Sequence, residues 1–354
     1  MKLSAVCLVL CACVEPPMVE ESTLALGSSP GGDDGCPVWG CGGNSPVIDA
    51  VGFHDLHELG IDNAQGFGVV AFEKHTGSAW VKFRADVIDG ELVARHLRTN
   101  GIAYSGPALI GARFEIYNRV TSRSYYLIVQ GMSRVPMWAT GTTGPQTARA
   151  YKLGWIHKLS PVDVKTICGH AAENDGIDEF HAVLFDDDRI DAEGIVVGPE
   201  EVNWFNIGCR GHALAKQHLT GHTRAAGTIL GISTTTNERT AHLKLLAADY
   251  CGLGHPFTVA GQPLGWRDQY NRFDNIPGQG GQIEARWTEQ GATCLNVPRV
   301  DFNQTQLGLD TFPAGVEPLL GTSEGWCTAQ NPRPPPCTGS IGDMQQAHVI
   351  SVNY

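Results

Sequence analysis

Hydrophobic and polar positions alternate most clearly between residues 68 and 137. Arg113-Phe114-Glu115-Ile116-Tyr117 alternates strictly, and Val69-Val70-Ala71-Phe72, Ala79-Trp80-Val81-Lys82-Phe83 and Ser124-Tyr125-Tyr126-Leu127-Ile128-Val129 are rich in β-branched and aromatic residues. A period of two in such residues describes strands with one face in water. Turn residues at His75-Thr76-Gly77, Ile88-Asp89-Gly90 and Asn100-Gly101 separate the runs, so antiparallel hairpins are expected. They predict a small β-sandwich or barrel over residues 47–150. Near its start, Phe53, Leu56 and Leu59 are expected to face the core, leaving His54, His57 and Glu58 in water. Those three are also metal-ligand types that would share a face if the segment were helical.

From residue 151 the pattern mixes helix and strand. Ala139 to Ala150, rich in Gly and Thr, reads as a loop leading into a second, α+β domain over 151–354. That domain opens on Tyr151-Lys152-Leu153-Gly154-Trp155 and has strands at His181 to Phe185 and Asn203 to Cys209. A helix is expected over Gly211 to Leu219. A second is expected from Asn237, its cap, through apolar Ala241, Leu245, Leu246 and Ala248 at spacings of three and four, with Gly252 as the stop. Pro256 to Leu264 reads as strand and turn, Ile283 to Cys294 as a hairpin, and Asp301 to Tyr354 as loop-rich.

Two stretches carry a family resemblance. Ala248-Asp249-Tyr250-Cys251-Gly252 resembles the signature of the ADYC-domain family, and Cys209-Arg210-Gly211 ahead of Ala215-Lys216 resembles that family's cysteine-arginine-glycine turn and alanine-lysine helix. The resemblance covers roughly residues 155–300. It implies a secreted lipoprotein of the kind found in myxobacteria and their relatives, and no particular activity. Family members carry one cysteine after that lysine and another in the helix ahead of the signature, where this chain has Gln217 and, at about that place, His242. A disulfide lost as a unit explains both changes.

The N-terminus adds an address. Lys2, the apolar run Leu3 to Cys11 and the box Leu10-Cys11-Ala12-Cys13 read as a lipoprotein signal peptide over residues 1–12. The run is far shorter than the ~20 residues of a membrane span. Lipidation is expected on Cys13, where several acyl chains would make the membrane a stable partner. Residues 13–46, with Pro16-Pro17 and Ser28-Ser29-Pro30-Gly31-Gly32, then form a tether. Val14 gives no inner-membrane retention signal, so the expected location is extracytoplasmic, anchored to the outer membrane.

Of 11 cysteines, eight remain after the signal and the lipid site: Cys36, Cys41, Cys168, Cys209, Cys251, Cys294, Cys327 and Cys337. An even number in an exported chain predicts four disulfides. Proximity along the chain favours Cys36 with Cys41, Cys168 with Cys209, Cys251 with Cys294, and Cys327 with Cys337.

Charge and chemistry narrow the function without fixing it. A net charge of −12 argues against nucleic acid as a partner, because phosphates demand a basic face. Cys251 beside His255 has the residue types of a thiol nucleophile, but an oxidising compartment favours a disulfide there. Cys209, His212, His218 and His222 could bind zinc only if Cys209 were reduced, and Gly221 would break the helix between the last two. The acidic run from Glu173 to Glu179 and on through Asp186, Asp187, Asp188, Asp191 and Glu193 lacks the spacing of a calcium loop. Asp249 is a carboxylate for catalysis or, more simply, for a buried cation or backbone donors. Trp39, Trp138, Trp204, Trp266 and Trp326 would make an aromatic ligand surface if they were exposed. The motifs of zinc proteases, phosphate loops and dinucleotide folds do not occur. Neither metal nor cofactor is therefore expected. The expectation is a structural or binding role at the cell envelope, toward an envelope or extracellular ligand. The alternative is a secreted hydrolase acting on envelope or extracellular polymers.

Overall fold

The computed structural model describes residues 46–139, 144–160, 163–168, 181–186, 188–190, 196–197, 203–209, 212–252, 265–270, 282–296, 298, 334–340, 343–344 and 347–353. A small hairpin of β1 (Val47–Ile48) and β2 (Val51–Gly52) comes first. The strands β3 (Asp55–His57), β4 (Phe67–His75), β5 (Trp80–Ile88), β6 (Glu91–Arg95), β7 (Ile102–Ser105), β8 (Arg113–Asn118), β9 (Arg123–Pro136), β10 (Thr147–His157), β11 (Lys165–Thr166) and β12 (His181–Asp186) follow. After the short pair β13 (Arg189–Ile190) and β14 (Val196–Val197) come β15 (Trp204–Cys209), the helices α1 (Ala213–Leu219), α2 (Arg224–Leu230) and α3 (Thr236–Ala247), and the strands β16 (Gly265–Asp268), β17 (Gln282–Thr288), β18 (Gly291–Leu295) and β19 (Val349–Asn353).

One antiparallel sheet dominates, in the order β3-β15-β12-β10-β9-β8-β4-β5-β6-β7, with β11 added on β10. It rolls over on itself. The Leu92 N–H on β6 donates to the Tyr151 hydroxyl on β10 at 2.8 Å, and Glu91 pairs with Arg134 and Arg149 of β9 and β10. Phe72, Phe114, Tyr125, Leu127, Leu153, Leu184 and Ile207 share the core this encloses. The sandwich-or-barrel expectation and the α+β class both hold.

The expected domain boundary does not. It falls inside β10, which pairs with β9 along its length and with β12 on its other side. The alternation is concealed there because both faces of β10 are buried. Tyr151 and Leu153 face the rolled core, while Ala148 and Ala150 face a second cluster with Ala215 and Leu219 of α1 and Ala226 and Leu230 of α2. Small residues under the helices read as loop composition. Leu59, expected in the core, is instead 60% exposed, just past the end of β3, whereas Phe53 and Leu56 are buried.

A second sheet, β16-β19-β17-β18, packs against α3. Tyr250, Trp266, Trp287, Leu245 and Val349 build the core between them. The helix is capped two residues ahead of the expected Asn237, at Thr235. Thr235 accepts from the Glu238 N–H at 3.2 Å and the Glu238 carboxylate accepts from the Thr235 N–H at 2.6 Å, a reciprocal capping box that leaves Asn237 inside the first turn.

Candidate functional site

The signature follows directly from the end of α3, and each of its residues has a structural partner. Ala248 takes the left-handed conformation (φ 56°, ψ 38°) and closes the helix. Such a conformation costs about 1–2 kcal/mol for a residue with a Cβ, and no exposed surface remains at Ala248 for anything larger. Asp249 accepts from the Lys244 ammonium at 2.8 Å with both groups buried. Tyr250 stacks on Trp287, ring centroids 5.2 Å apart, and its hydroxyl donates to the Glu284 carboxylate. Cys251 is in a disulfide whose partner lies outside the described residues, which removes the thiol nucleophile. Gly252, at φ +69°, lies so close to the β17–β18 turn that a Cβ would sit 1.8 Å from the Gln290 carbonyl oxygen.

A second polar network joins the helices to the rolled sheet. The Arg239 guanidinium of α3 donates through Nε (3.0 Å) and Nη2 (2.9 Å) to Asp188, whose other oxygen accepts from the Arg224 main-chain N–H at 2.9 Å. Arg239 also donates to the Thr234 carbonyl at 2.6 Å and, at 3.4 Å each, to the hydroxyls of Thr234 and Thr236. His218 is fully buried on α1, stacked on Phe185, with Nδ1 2.9 Å from the Thr223 hydroxyl that caps α2. Burial pushes its pKa down to about 4, so the ring is neutral, and the Thr223 hydroxyl, which already accepts from the Ala226 N–H, has its proton left to donate to Nδ1. His222 and His242 stack face to face with centroids 3.8 Å apart, and His222 Nε2 lies 3.7 Å from the Asp268 carboxylate.

Beside this network a concavity of about 730 Å³ opens between the end of α2 and the start of α3. Arg224, Thr228, Ser233, Thr234, Thr235, Thr236 and Arg239 line it, and Gly227, Gly231 and Ile232 complete the wall. Gly227 is needed for this shape, because a Cβ there would come within 2.7 Å of the Ile232 carbonyl oxygen that folds back over α2. Neither α2 nor this concavity was anticipated from the pattern. Thr223 ahead of α2 and Gly231 after it were the available signals, an N-cap and a left-handed C-cap.

The other candidate residues are kept apart. Cys209 is bonded to Cys168, as expected (Cα–Cα 5.5 Å), so it is no zinc thiolate, and α1 ends at Leu219, before Gly221. Among the described residues, no group of three or more His, Cys, Asp or Glu could hold a metal ion. His54, His57 and Glu58 lie on and around a strand and diverge: His54 donates to the Ile190 carbonyl, His57 accepts from the Leu59 N–H, and Glu58 accepts from the Val87 N–H. Trp204 and Trp266 are buried and Trp138 is half-buried, so these three make no ligand surface. Gln217, where the resemblance places a cysteine, donates instead to the Arg239 carbonyl across the packed α1–α3 pair at 2.8 Å. Cys13, Cys36, Cys41, Cys327, Trp39, Trp326, His255 and the acidic residues 173–179, 187, 191 and 193 lie outside the described residues.

Two expected disulfide pairings are corrected. Cys294 bonds Cys337, not Cys251, and Cys337 is therefore not the partner of Cys327. The reason is spatial. Residues 334–340 lie along the end of β18, where the Leu295 N–H donates to the Pro335 carbonyl and the Cys337 N–H to Asn296, bringing the two cysteine Cα atoms to 4.8 Å. Distance along the chain carries no information about such a return.

Rolled sheet, helices and second sheet, stapled by disulfides that persist in oxidising compartments, define an extracytoplasmic protein of mostly β structure. A family model, that of the ADYC domain, matches residues 106–301. The chain belongs to the ADYC-domain family. The match begins well ahead of the expected boundary, because the family unit includes β8 to β10 of the rolled sheet. No curated protein and no solved structure matches the chain.

Proposed function

We propose that this chain is an exported lipoprotein, held at the outer membrane by acyl chains on Cys13, whose folded part serves a structural or binding role at the cell envelope. The observation that carries the reading is the fate of the signature. Asp249 neutralises Lys244, Tyr250 holds Glu284, Cys251 is oxidised and Gly252 seats the β17–β18 turn. Every group that chemistry could use there is engaged in holding α3 to the second sheet. Catalysis needs a nucleophile or base within reach of substrate, and the buried carboxylate of Asp249 offers neither. The membrane is the partner of the anchor, and the concavity is the place for an envelope or extracellular ligand.

Cells expressing the full chain and its Cys13→Ser variant, grown with an alkyne-tagged fatty acid, test the anchor. The wild type is expected to carry the tag and sediment with membranes, and the variant to lose both properties. Tagging of the variant, or a wild type recovered from the cytoplasm with reduced cysteines, would overturn the reading.

A further inference from the structure

The strands β4, β5, β6 and β7 are consecutive antiparallel neighbours in the rolled sheet, so the β4–β5 and β6–β7 turns emerge at the same end. The β5–β6 turn, at the other end, lies against His218. Register keeps the two outer tips together. Arg84 pairs with Arg95, and the Phe83 and His96 rings are 5.9 Å apart, which brings Leu97 and Arg98 out beside Lys82 and Val81. Residues 74–82 and 96–102 contain Lys74, Lys82 and Arg98 and no Asp or Glu, in a chain whose net charge is −12. Lys82 and Arg98 are exposed, and their side chains make no ion pair among the described residues. The same tips show large apolar groups to water: Trp80, Val81, Leu97 and Ile102 are between 39% and 66% exposed. Trp80 is held there by the Arg113 guanidinium, 3.6 Å from its ring centroid, and by the His75 ring at 5.3 Å. Scattered apolar residues on a surface are ordinary, but a cluster of them marks an interaction site.

Cations interspersed with aliphatic and indole groups fit a surface that is anionic outside and apolar beneath. An acidic polymer would answer the cations and leave Val81, Leu97 and Ile102 in water. We infer that the β4–β5 and β6–β7 tips dock on an anionic lipid surface, with Lys82 and Arg98 among the headgroups and Trp80, Val81, Leu97 and Ile102 at the boundary with the acyl chains. This goes beyond the anchor proposed above and needs no lipid on Cys13. The anchor would hold the chain near a bilayer, and the tips would set which end of the rolled sheet meets it.

Pulsed hydrogen exchange of the intact chain tests it, on preformed vesicles of phosphatidylglycerol with phosphatidylcholine and on phosphatidylcholine alone. Amides of residues 76–79 and 97–101 are expected to exchange at least tenfold more slowly on the anionic vesicles. The β8–β9 turn, residues 119–122 at the far end of β8, should keep its rate. Each cation near an anionic surface strengthens attraction about fivefold, so Lys82→Gln with Arg98→Gln should erase the slowing, and Leu97→Ser should reduce it. The melting temperature of the double variant should stay at the wild-type value, because both side chains lie in water. No slowing on anionic vesicles, equal slowing on neutral ones or at the β8–β9 turn, slowing that persists in the double variant, or slowing by soluble polygalacturonate in place of vesicles would each overturn the inference. Intact mass reads acylation in the same samples. An unacylated chain that still shows the slowing refutes the anchor and keeps the docking, and an acylated chain without it does the reverse.

Discussion

Gly252 is where the signature meets the second sheet, and backbone rather than side chain makes the contact. At φ +69°, with the Gln290 carbonyl oxygen 1.8 Å from any added Cβ, Gly252→Ala must both strain its own backbone and push the β17–β18 turn away. Gly77 is the control: φ is also positive, at +92°, but nothing lies within 4 Å. Chemical denaturation should show Gly77→Ala costing about 1 kcal/mol, the conformational part alone, and Gly252→Ala costing about 3 kcal/mol or more, in the range of core disruption. Similar losses at both positions would mean that the close approach is not needed. Glu58 shows a different residue-level conflict. Burial, then the charge of Asp86 and a hydrogen bond with it, push its pKa up to about 8 from an ordinary 4.5. The folded state therefore binds the proton more tightly than the unfolded chain, and stability falls as pH rises from about 4.5 through 8. Glu58→Gln, which cannot ionise, should melt higher than wild type at pH 9 and lose that decline. Parallel pH profiles for the two proteins would refute the assignment.

At the scale of elements, α3 shows what a sequence reveals and what it hides. Its existence was legible because Ala241, Leu245 and Leu246 keep helical spacing. Its start was misplaced because Asn237 is a good cap in isolation, and only the reciprocal Thr235–Glu238 pair outcompetes it. Its burial was expected from those apolar residues, but not that its polar positions are buried as well. Packed on one side by α1 and on the other by β17 and β19, the helix buries Arg239, His242 and Lys244 as well as its leucines. No amphipathic stripe survives such an environment, because Arg239 pairs with Asp188, Lys244 with Asp249 just past the helix end, and His242 stacks on His222. The buried Lys244–Asp249 pair should behave accordingly. Removing one partner leaves a buried charge uncompensated, at about 3–5 kcal/mol, while replacing both with apolar residues can be nearly neutral. Lys244→Met and Asp249→Leu are expected to be strongly destabilising singly and to recover most of the loss together. An additive double variant would show that the pair does not act as a unit. Unlike this pair, the concavity had no sequence signal, because Ser233 to Thr236 read as an ordinary polar loop until α2 and α3 are placed side by side.

At the scale of the whole molecule, the rolled sheet and the helices meet at His218. Phe185 of β12 lies against its ring, Thr223 at the head of α2 binds Nδ1, and the β5–β6 turn comes so close that a Cβ on Gly90 would sit 3.3 Å from the ring. Asp186 accepts from the Gly90 N–H at 3.4 Å and ties that turn to β12. The rolled sheet, α1 and α2 thus converge on one neutral imidazole. Protonation would put a charge where burial opposes it and would reverse the Nδ1 hydrogen bond. Because burial holds the folded pKa near 4, below the unfolded 6.5, the folded state binds fewer protons. The contribution is complete above about pH 6.5 and is lost as pH falls toward 4, by about 3 kcal/mol at the lower end. The Cys168–Cys209 bridge does not titrate and closes a loop with a sequence separation of 41, worth about 4 kcal/mol in the chain-entropy model, at any pH in this range. Denaturation series at pH 7, 5.5 and 4 therefore separate the two. His218→Gln keeps an acceptor for Thr223 without a titrating ring; it should start lower than wild type at pH 7 and lose less stability on acidification. The Cys168→Ala and Cys209→Ala pair should be shifted down by a similar amount at all three. An acid slope unchanged in His218→Gln would place the sensitive group elsewhere, and a pH-dependent deficit in the bridge variant would mean that the sheet and helices loosen together when either tie is cut.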